Sequence, residues 1–410
     1  MPLGGGMNKN TTFIFLSLFL FLGSLGVEGS IQKSLFNVLH YNVKELDSKK
    51  IRERDQSLKR AIDLLKEIPF DILSLNEIQY DFPGVPYERF KTEGQNLTLI
   101  GKWMGSSFKN WFQLFHPGNT GFNARKRGDG TYFPDLKKRA ARRYADPVNF
   151  GVFPGQYATG GISRFPVKEV NYIHKIAWKD AFPKRRLSYY KDAHGNPLPE
   201  DMPLFDKVFI HAILDVEGQE LHLILLHTVP SFNFGNPNSV NIVRNSDQLR
   251  FLKSYLEGKK LGFENSREGL PLNAPFIVMG DLNIDYRDSK KEGAFVMKSL
   301  LESENIKGLK VNHTYESEGV TKKPNKLLLD YILYGGQGLS LNKGGVYGLP
   351  SGKVNLGCKK PRLPMPGKIL ISYKKRGKSC FLEMNKTYFL AKKASDHFPL
   401  YAQFSLEKEL

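Results

Sequence analysis

FNVLHYNV (36–43), a helically spaced segment and then DILSLNE (71–77) read in that order as strand, helix, strand. Between the two apolar runs, Leu58, Ala61, Ile62, Leu65 and Ile68 recur at the spacing of one helix face. A β-α-β unit pairs its strands in parallel through a right-handed crossover, so the C-terminal ends of both strands lie on one edge. Asn42 and Glu77 are the polar residues expected to meet there.

Outward from this unit, further strands are predicted at 160–165, 207–216, 221–227, 276–280, 327–334 and 399–406, with helical patterns near 240–257 and 292–303. Strands mixed with a few helices run along the whole chain, with no Ser/Gly linker and no internal repeat. That pattern predicts one continuous α/β domain of packed sheets over 30–410. Two stretches depart from it. Residues 116–156 are rich in Gly, Pro, Asn and basic residues, including RKR (125–127) and KKRAARR (137–143), and read as a long basic surface insertion. Residues 335–394 read as a second one; its part 351–380 holds nine Lys or Arg and no acidic residue, and is the strongest candidate for a loop facing the substrate.

Composition narrows the function classes. With 410 residues, 40% hydrophobic and 25% charged, the chain is neither disordered, collagenous nor a polytopic membrane protein. Its formal net charge of +19 favours polyanionic partners: nucleic acid, phospholipid headgroups or phosphorylated small molecules. At the N-terminus Lys9 precedes FIFLSLFLFL (13–22), too short to span a bilayer and suited to the core of a signal peptide over 1–29. Export to the periplasm or the cell exterior is therefore expected. Cys358 and Cys380 lie 22 positions apart and are either bridged, which would stabilise by about 3 kcal/mol, or two unpaired core residues. Two thiols without CxxC spacing make no zinc site.

Several polar residues share one context, the end of an apolar run: Glu77 after ILSL, His227 after LHLILL, Asp281 and Asn283 in GDLN after FIVM, and Asp396-His397 before PLYAQF. In open α/β sheets, sites gather at strand ends. Asp330 sits inside LLLDYILY (327–334), where an unpaired carboxylate would cost several kcal/mol. It needs a partner, and His397 or His227 is the natural one, because a carboxylate that orients an imidazole supports a general acid or base.

These residues carry a resemblance. LHYNV (39–43), ILSLNEI (72–78), FPGQYATGGISRFPV (153–167), LILLHTVP (223–230), FIVMGDLN (276–283), LLDYILY (328–334) and SDHFPL (395–400) resemble, in this order, the motifs of the endonuclease/exonuclease/phosphatase superfamily. The resemblance implies a four-layer α/β sandwich with two mixed sheets face to face and helices outside. It implies Glu77 as the main ligand of Mg²⁺, or of Mn²⁺ or Ca²⁺ in its place, with Asn42 and Asp396 near the ion. Asp281 would hold or deprotonate the attacking water, Asn283 would orient the phosphoryl group, Asp330 would pair with His397, and His227 would hydrogen-bond the phosphate. Tyr157 matches an aromatic near the phosphate in some branches. Two positions depart from the pattern: Lys44 stands where some branches carry an Asp, and Ala158 where a Gly often follows the Tyr. Both count against the apurinic-endonuclease branch.

The leading expectation is a secreted, Mg²⁺-dependent phosphoesterase, monomeric and without a stable protein partner, acting on nucleic acid because the charge is so positive. Alternatives are a sphingomyelinase or phosphomonoesterase of the same superfamily, or a non-catalytic binder of polyanions or host surfaces on the same scaffold. Arg127-Gly128-Asp129 reads as a chance RGD, and NLT (96–98), NHT (312–314) and NKT (385–387) as glycosylation acceptors that only some hosts would use.

Overall fold

The β-α-β unit lies at the centre of the first of two six-stranded sheets in the computed structural model. The residues described are 32–192, 194–235, 239–259, 269–317, 324–359 and 363–408, so the expected signal peptide over 1–29 lies outside them. Strand β1 (Lys33–Leu46) pairs in parallel with β2 (Ile72–Ile78) through helices α1 (Ser48–Glu53) and α2 (Gln56–Glu67). Asp47 and Asp55 start these helices by accepting from the backbone N–H of Lys50 (2.7 Å) and Leu58 (3.0 Å). The period of two along β1 sends Phe36 and Val38 between the sheets, and Leu39, Tyr41 and Val43 toward the helices.

Strands β17 (Leu400–Glu407) and β13 (Leu339–Val346) extend this sheet on one side, and β4 (Ala158–Ser163) and β3 (Phe112–His116) on the other. The second sheet runs in the order β5 (Val167–Ile173), β6 (Phe209–Val216), β7 (Gln219–His227), β8 (Phe276–Asp281), β12 (Asp330–Gly335) and β9 (Lys307–Gly308). A short ribbon of β10 (Tyr315–Glu316) and β11 (Lys326–Leu327) leads into β12. Helices α3 (Gln95–Met104) and α7 (Lys386–Ala394) join α1 and α2 over the first sheet, while α4 (Trp178–Ala181), α5 (Asn241–Leu256) and α6 (Glu292–Leu301) cover the second. Between the sheets, Phe36, Val38 and Ile72 meet Ile210, Leu223, Leu225 and Ile277. The result is the expected sandwich of two mixed sheets with helices outside. Gly161 sits where the sheets approach closely, since a Cβ there would lie 2.5 Å from Leu225 Cδ1.

The expectation of a surface excursion over 335–394 needs correction. β13 is an edge strand of the first sheet, and β14 (Val354–Gly357), β15 (Lys368–Lys375) and β16 (Lys378–Asn385) form a small antiparallel sheet in the order β14-β16-β15. Ile369, Ile371, Leu382 and Met384 pack into the core shared with α2 and α7. A disulfide joins Cys358 to the buried Cys380. In β15 the half-buried Ile369, Ile371 and Tyr373 share one face, while Ser372, Lys374 and Lys375 are exposed. Residues 116–156 hold little regular structure, but they close around a small apolar cluster of Phe133, Ala141, Ala145, Val152 and Phe153.

Candidate active site

Strand register sets the polar residues in rows. In the parallel β7–β8 pair His227 lies opposite Asp281, and in the antiparallel β8–β12 pair Asp281 lies opposite Asp330. On the facing sheet Asn42 lies opposite Asn76, whose Oδ1 accepts from the Asp281 backbone N–H at 2.8 Å and ties the sheets together. At Glu77 the pairing of β2 with β4 skips from Asn76 to Ile78, and Glu77 has φ 62°, in the left-handed region that a non-glycine residue seldom adopts. A bulge of this kind re-aims one side chain, and such strain concentrates at functional sites. Near the end of β1, where its register with β2 shifts between Asn42 and Leu46, Lys44 and Glu45 repeat the conformation with φ 51° and 48°. Glu77 Oε2 accepts from the Glu45 backbone N–H at 2.9 Å and Oε1 from Asn42 Nδ2 at 3.0 Å.

Asp330 finds two imidazoles. Its Oδ2 lies 2.7 Å from His397 Nδ1 and its Oδ1 3.2 Å from His40 Nε2, and His40 Nδ1 lies 3.1 Å from Ser74 Oγ. Burial alone would raise the Asp330 pKa, but the charge and hydrogen bond of His397 outweigh it and hold the carboxyl well below the usual range. Burial likewise opposes a charged His397, yet the Asp330 carboxylate lifts that pKa to about 10. Asp281 is different. Burial first, then the repulsion of Asp330, pushes it up to about 7. It accepts from Asn42 Nδ2 (2.9 Å) and the Asn283 N–H (2.8 Å), while His227 and His397 Nε2 stand off at 3.7 and 3.8 Å. His227 is buried, which drops its pKa well below 6.5, and its Nδ1 has no hydrogen-bond partner among the described residues.

Glu77, Asn42, Asp281, Asn283, His227, Asp330 and His397 therefore converge at one end of the sandwich. Asp396 stands beside them: its Oδ2 accepts from Lys44 Nζ at 2.6 Å, and its charge acts on Glu77 and His397. Tyr157 Oη donates to Glu45 Oε1 at 3.2 Å. Sequence reasoning missed His40, Asn76, Lys207 and Thr314, the last accepting from the Asp330 N–H at 3.0 Å through Oγ1. A signal for His40 existed, because it is two residues from Asn42 and so shares its face of β1.

Carboxylates outnumber cationic partners here, and that suits a divalent cation. Glu77, His227 and Asp281 each offer a ligand atom within 4.8 Å of the others, as do Asp281, Asp330 and His397. Burial raises the pKa of Glu77 as it does that of Asp281, so a positive charge between them relieves both. Carboxylate oxygens match hard cations such as Mg²⁺. Asn42 directs its Nδ2 at the carboxylates while its Oδ1 accepts from the Lys44 N–H at 3.0 Å, so the amide must turn to offer an oxygen ligand. From this floor a cavity of 580 Å³ opens past Tyr157 and Lys207. Lys207 is buried and its Nζ donates to Asp206 at 2.6 Å.

The sequence model of the Endonuclease/Exonuclease/phosphatase family matches residues 35–397. The chain belongs to this family. Members of the endonuclease/exonuclease/phosphatase family are typically metal-dependent phosphoesterases. Similar solved structures include TDP2 of D. rerio complexed with single strand DNA product, at 14% identity and TM-score 0.44, covering 90% of this chain and 99% of that one. Sphingomyelinase C from Streptomyces griseocarneus shows 13% identity and TM-score 0.45, over 90% of this chain and 99% of that one. A family protein from Bacteroides thetaiotaomicron shows 12% identity and TM-score 0.45, over 92% and 100%. None of these likenesses bears on the substrate. No curated protein matches the chain.

Proposed function

We propose that this chain is an exported, Mg²⁺-dependent phosphoesterase that cleaves nucleic acid. The observation that carries the reading is the buried set of Glu77, Asn42 and Asp281 beside the Asp330–His397 pair. Glu77, with the Asn42 amide turned, would hold the ion, which when bound polarises a phosphoryl oxygen. Asp281, within reach of the same space, would accept the proton of the attacking water. The water oxygen bonds to phosphorus, the opposite P–O ester bond breaks, and the departing oxygen leaves with its electron pair and takes up a proton from solvent. His397, kept protonated by Asp330, offers positive charge as the phosphoryl oxygens gain negative charge. Neutral His227 contributes an N–H without adding a buried charge. Asn283 spends one Nδ2 hydrogen on Thr228 O at 3.0 Å and has the other left for the phosphoryl group.

The net charge of +19 supports a polyanionic substrate, and the Cys358–Cys380 bridge supports an oxidising compartment. The test is hydrolysis by the purified chain of an oligonucleotide, sphingomyelin and bis(p-nitrophenyl) phosphate, with Mg²⁺ and then with EDTA. Mg²⁺-dependent cleavage of the oligonucleotide and the chromogenic diester is expected. Undiminished turnover in EDTA contradicts the mechanism, and cleavage of sphingomyelin alone moves the substrate to phospholipid headgroups.

A further inference from the structure

The mechanism above uses only the floor of the 580 Å³ cavity. Its walls come from segments outside the sandwich: the basic insertion, the stretch before β6 and the turn after β7. The lining includes the apolar side chains of Leu136, Val148, Phe150, Leu198, Phe234 and Val240. Phe150 and Phe234 are 42% and 60% exposed, and Phe232, 54% exposed, meets Phe234 edge to face at 5.1 Å. Phenylalanines left in water at a cavity mouth mark a contact surface. Alongside them Arg142, Arg143 and Lys191 also line the cavity, their side chains solvent-exposed, and Arg142 is close enough to Tyr157 to favour its ionised form electrostatically.

Flat apolar faces interleaved with cations, leading to a phosphate-cleaving floor, suit a ligand that is planar and anionic in alternation. We propose that the cavity receives one unpaired nucleotide, so that the enzyme acts on single-stranded nucleic acid. The base stacks against Phe150 and Phe234, and the phosphate next to the scissile one meets Arg142 and Arg143. Base stacking on aromatic side chains in a positive groove tolerates every sequence, because every base has a π-face. A paired base cannot enter without leaving its duplex. A phospholipid acyl chain would place hydrocarbon against the charged floor and the Arg142–Arg143 side of the mouth, where it gains least.

This inference rests on the proposed function, and the experiment separates the two. Matched single-stranded, duplex and abasic single-stranded oligonucleotides are cleaved with Mg²⁺, and binding to anionic phospholipid vesicles is measured in parallel. The wild type should favour the single strand over the duplex by about tenfold or more in kcat/KM, the size of one stacked base. The F150A/F234A double variant, altered only at exposed side chains, should raise KM about tenfold on the base-bearing strand and clearly less on the abasic one. Arg142→Gln with Arg143→Gln should raise KM on both strands and flatten the salt dependence by about one unit of slope for each phosphate that is no longer neutralised. Equal rates on single strand and duplex, or a double variant that treats the two strands alike, overturn the inference while leaving the phosphoesterase reading intact. Vesicle binding lost in F150A/F234A with oligonucleotide kinetics unaltered overturns it in favour of a membrane contact. Failure to cleave any oligonucleotide removes the nucleic-acid reading itself.

Discussion

Asp330 shows what a buried charge demands and what it can do in return. It is fully enclosed between His40 and His397, and a carboxylate there persists because both imidazoles serve it. If Asp330 and His397 work as one unit, Asp330→Asn and His397→Ala should each lower kcat by about 10²–10⁴, with the double variant little worse than either single one. Steady-state kinetics of the three variants decide this, and independent, multiplicative losses would separate the two residues. pH adds a signed expectation. Asp330 raises the His397 pKa to about 10 against a burial effect that lowers it, so in Asp330→Asn the alkaline limb of the kcat profile should move to lower pH. Stability follows the same pair: the His397 contribution is complete below its ordinary 6.5 and fades as pH climbs through about 10. The Asp330 contribution is present above its ordinary 3.8 and fades only as pH falls through the depressed folded value. Asp330 announced its need in the sequence through its apolar flanks. His40 gave a weaker signal, its shared strand face with Asn42, because its partner Asp330 comes from the facing sheet.

At the scale of elements, the strands that carry the site were legible because each is an apolar run with a polar end. β2, β7 and β8 all have this form, and the site follows from where their C-terminal ends meet. The bulge at Glu77 was not legible, since nothing in ILSLNEI marks φ 62° at its glutamate. β13 was hidden by exposed lysine and glycine on an edge strand, and the small sheet by its exposed lysines. This placement changes the expected role of 351–380. It packs against α7, and among its described residues none lines the cavity at the site. Lys374→Gln with Lys375→Gln and Arg376→Gln should therefore leave the salt slope of oligonucleotide binding nearly unchanged, whereas removing Arg142 and Arg143 flattens it. Replacing Cys358 and Cys380 by Ser should cost about 3 kcal/mol in denaturant melts with little change in turnover. A collapse of kcat in the cysteine variant would show that the small sheet supports the site after all.

Over the whole molecule, two sheets pack face to face so that their polar ends, not their apolar faces, create the chemistry. The core residues of β1 and β7 hold Asn42 and His227 at fixed depth, and Asn76 ties the sheets where the Asp281 N–H needs an acceptor. Fold and family follow from the order of motifs along the chain. The cavity does not, because its walls come from the basic insertion and two other segments that lack periodicity and meet only in three dimensions. The proposed role of Glu77 is to hold a catalytic Mg²⁺ at the junction of the sheets. Its most direct test is Mg²⁺ binding by titration calorimetry, with turnover of bis(p-nitrophenyl) phosphate, in wild type and Glu77→Gln. In a variant that stays folded, Mg²⁺ binding is expected to weaken at least tenfold and turnover to fall on the order of 100-fold. Wild-type Mg²⁺ affinity and wild-type turnover in folded Glu77→Gln would contradict it.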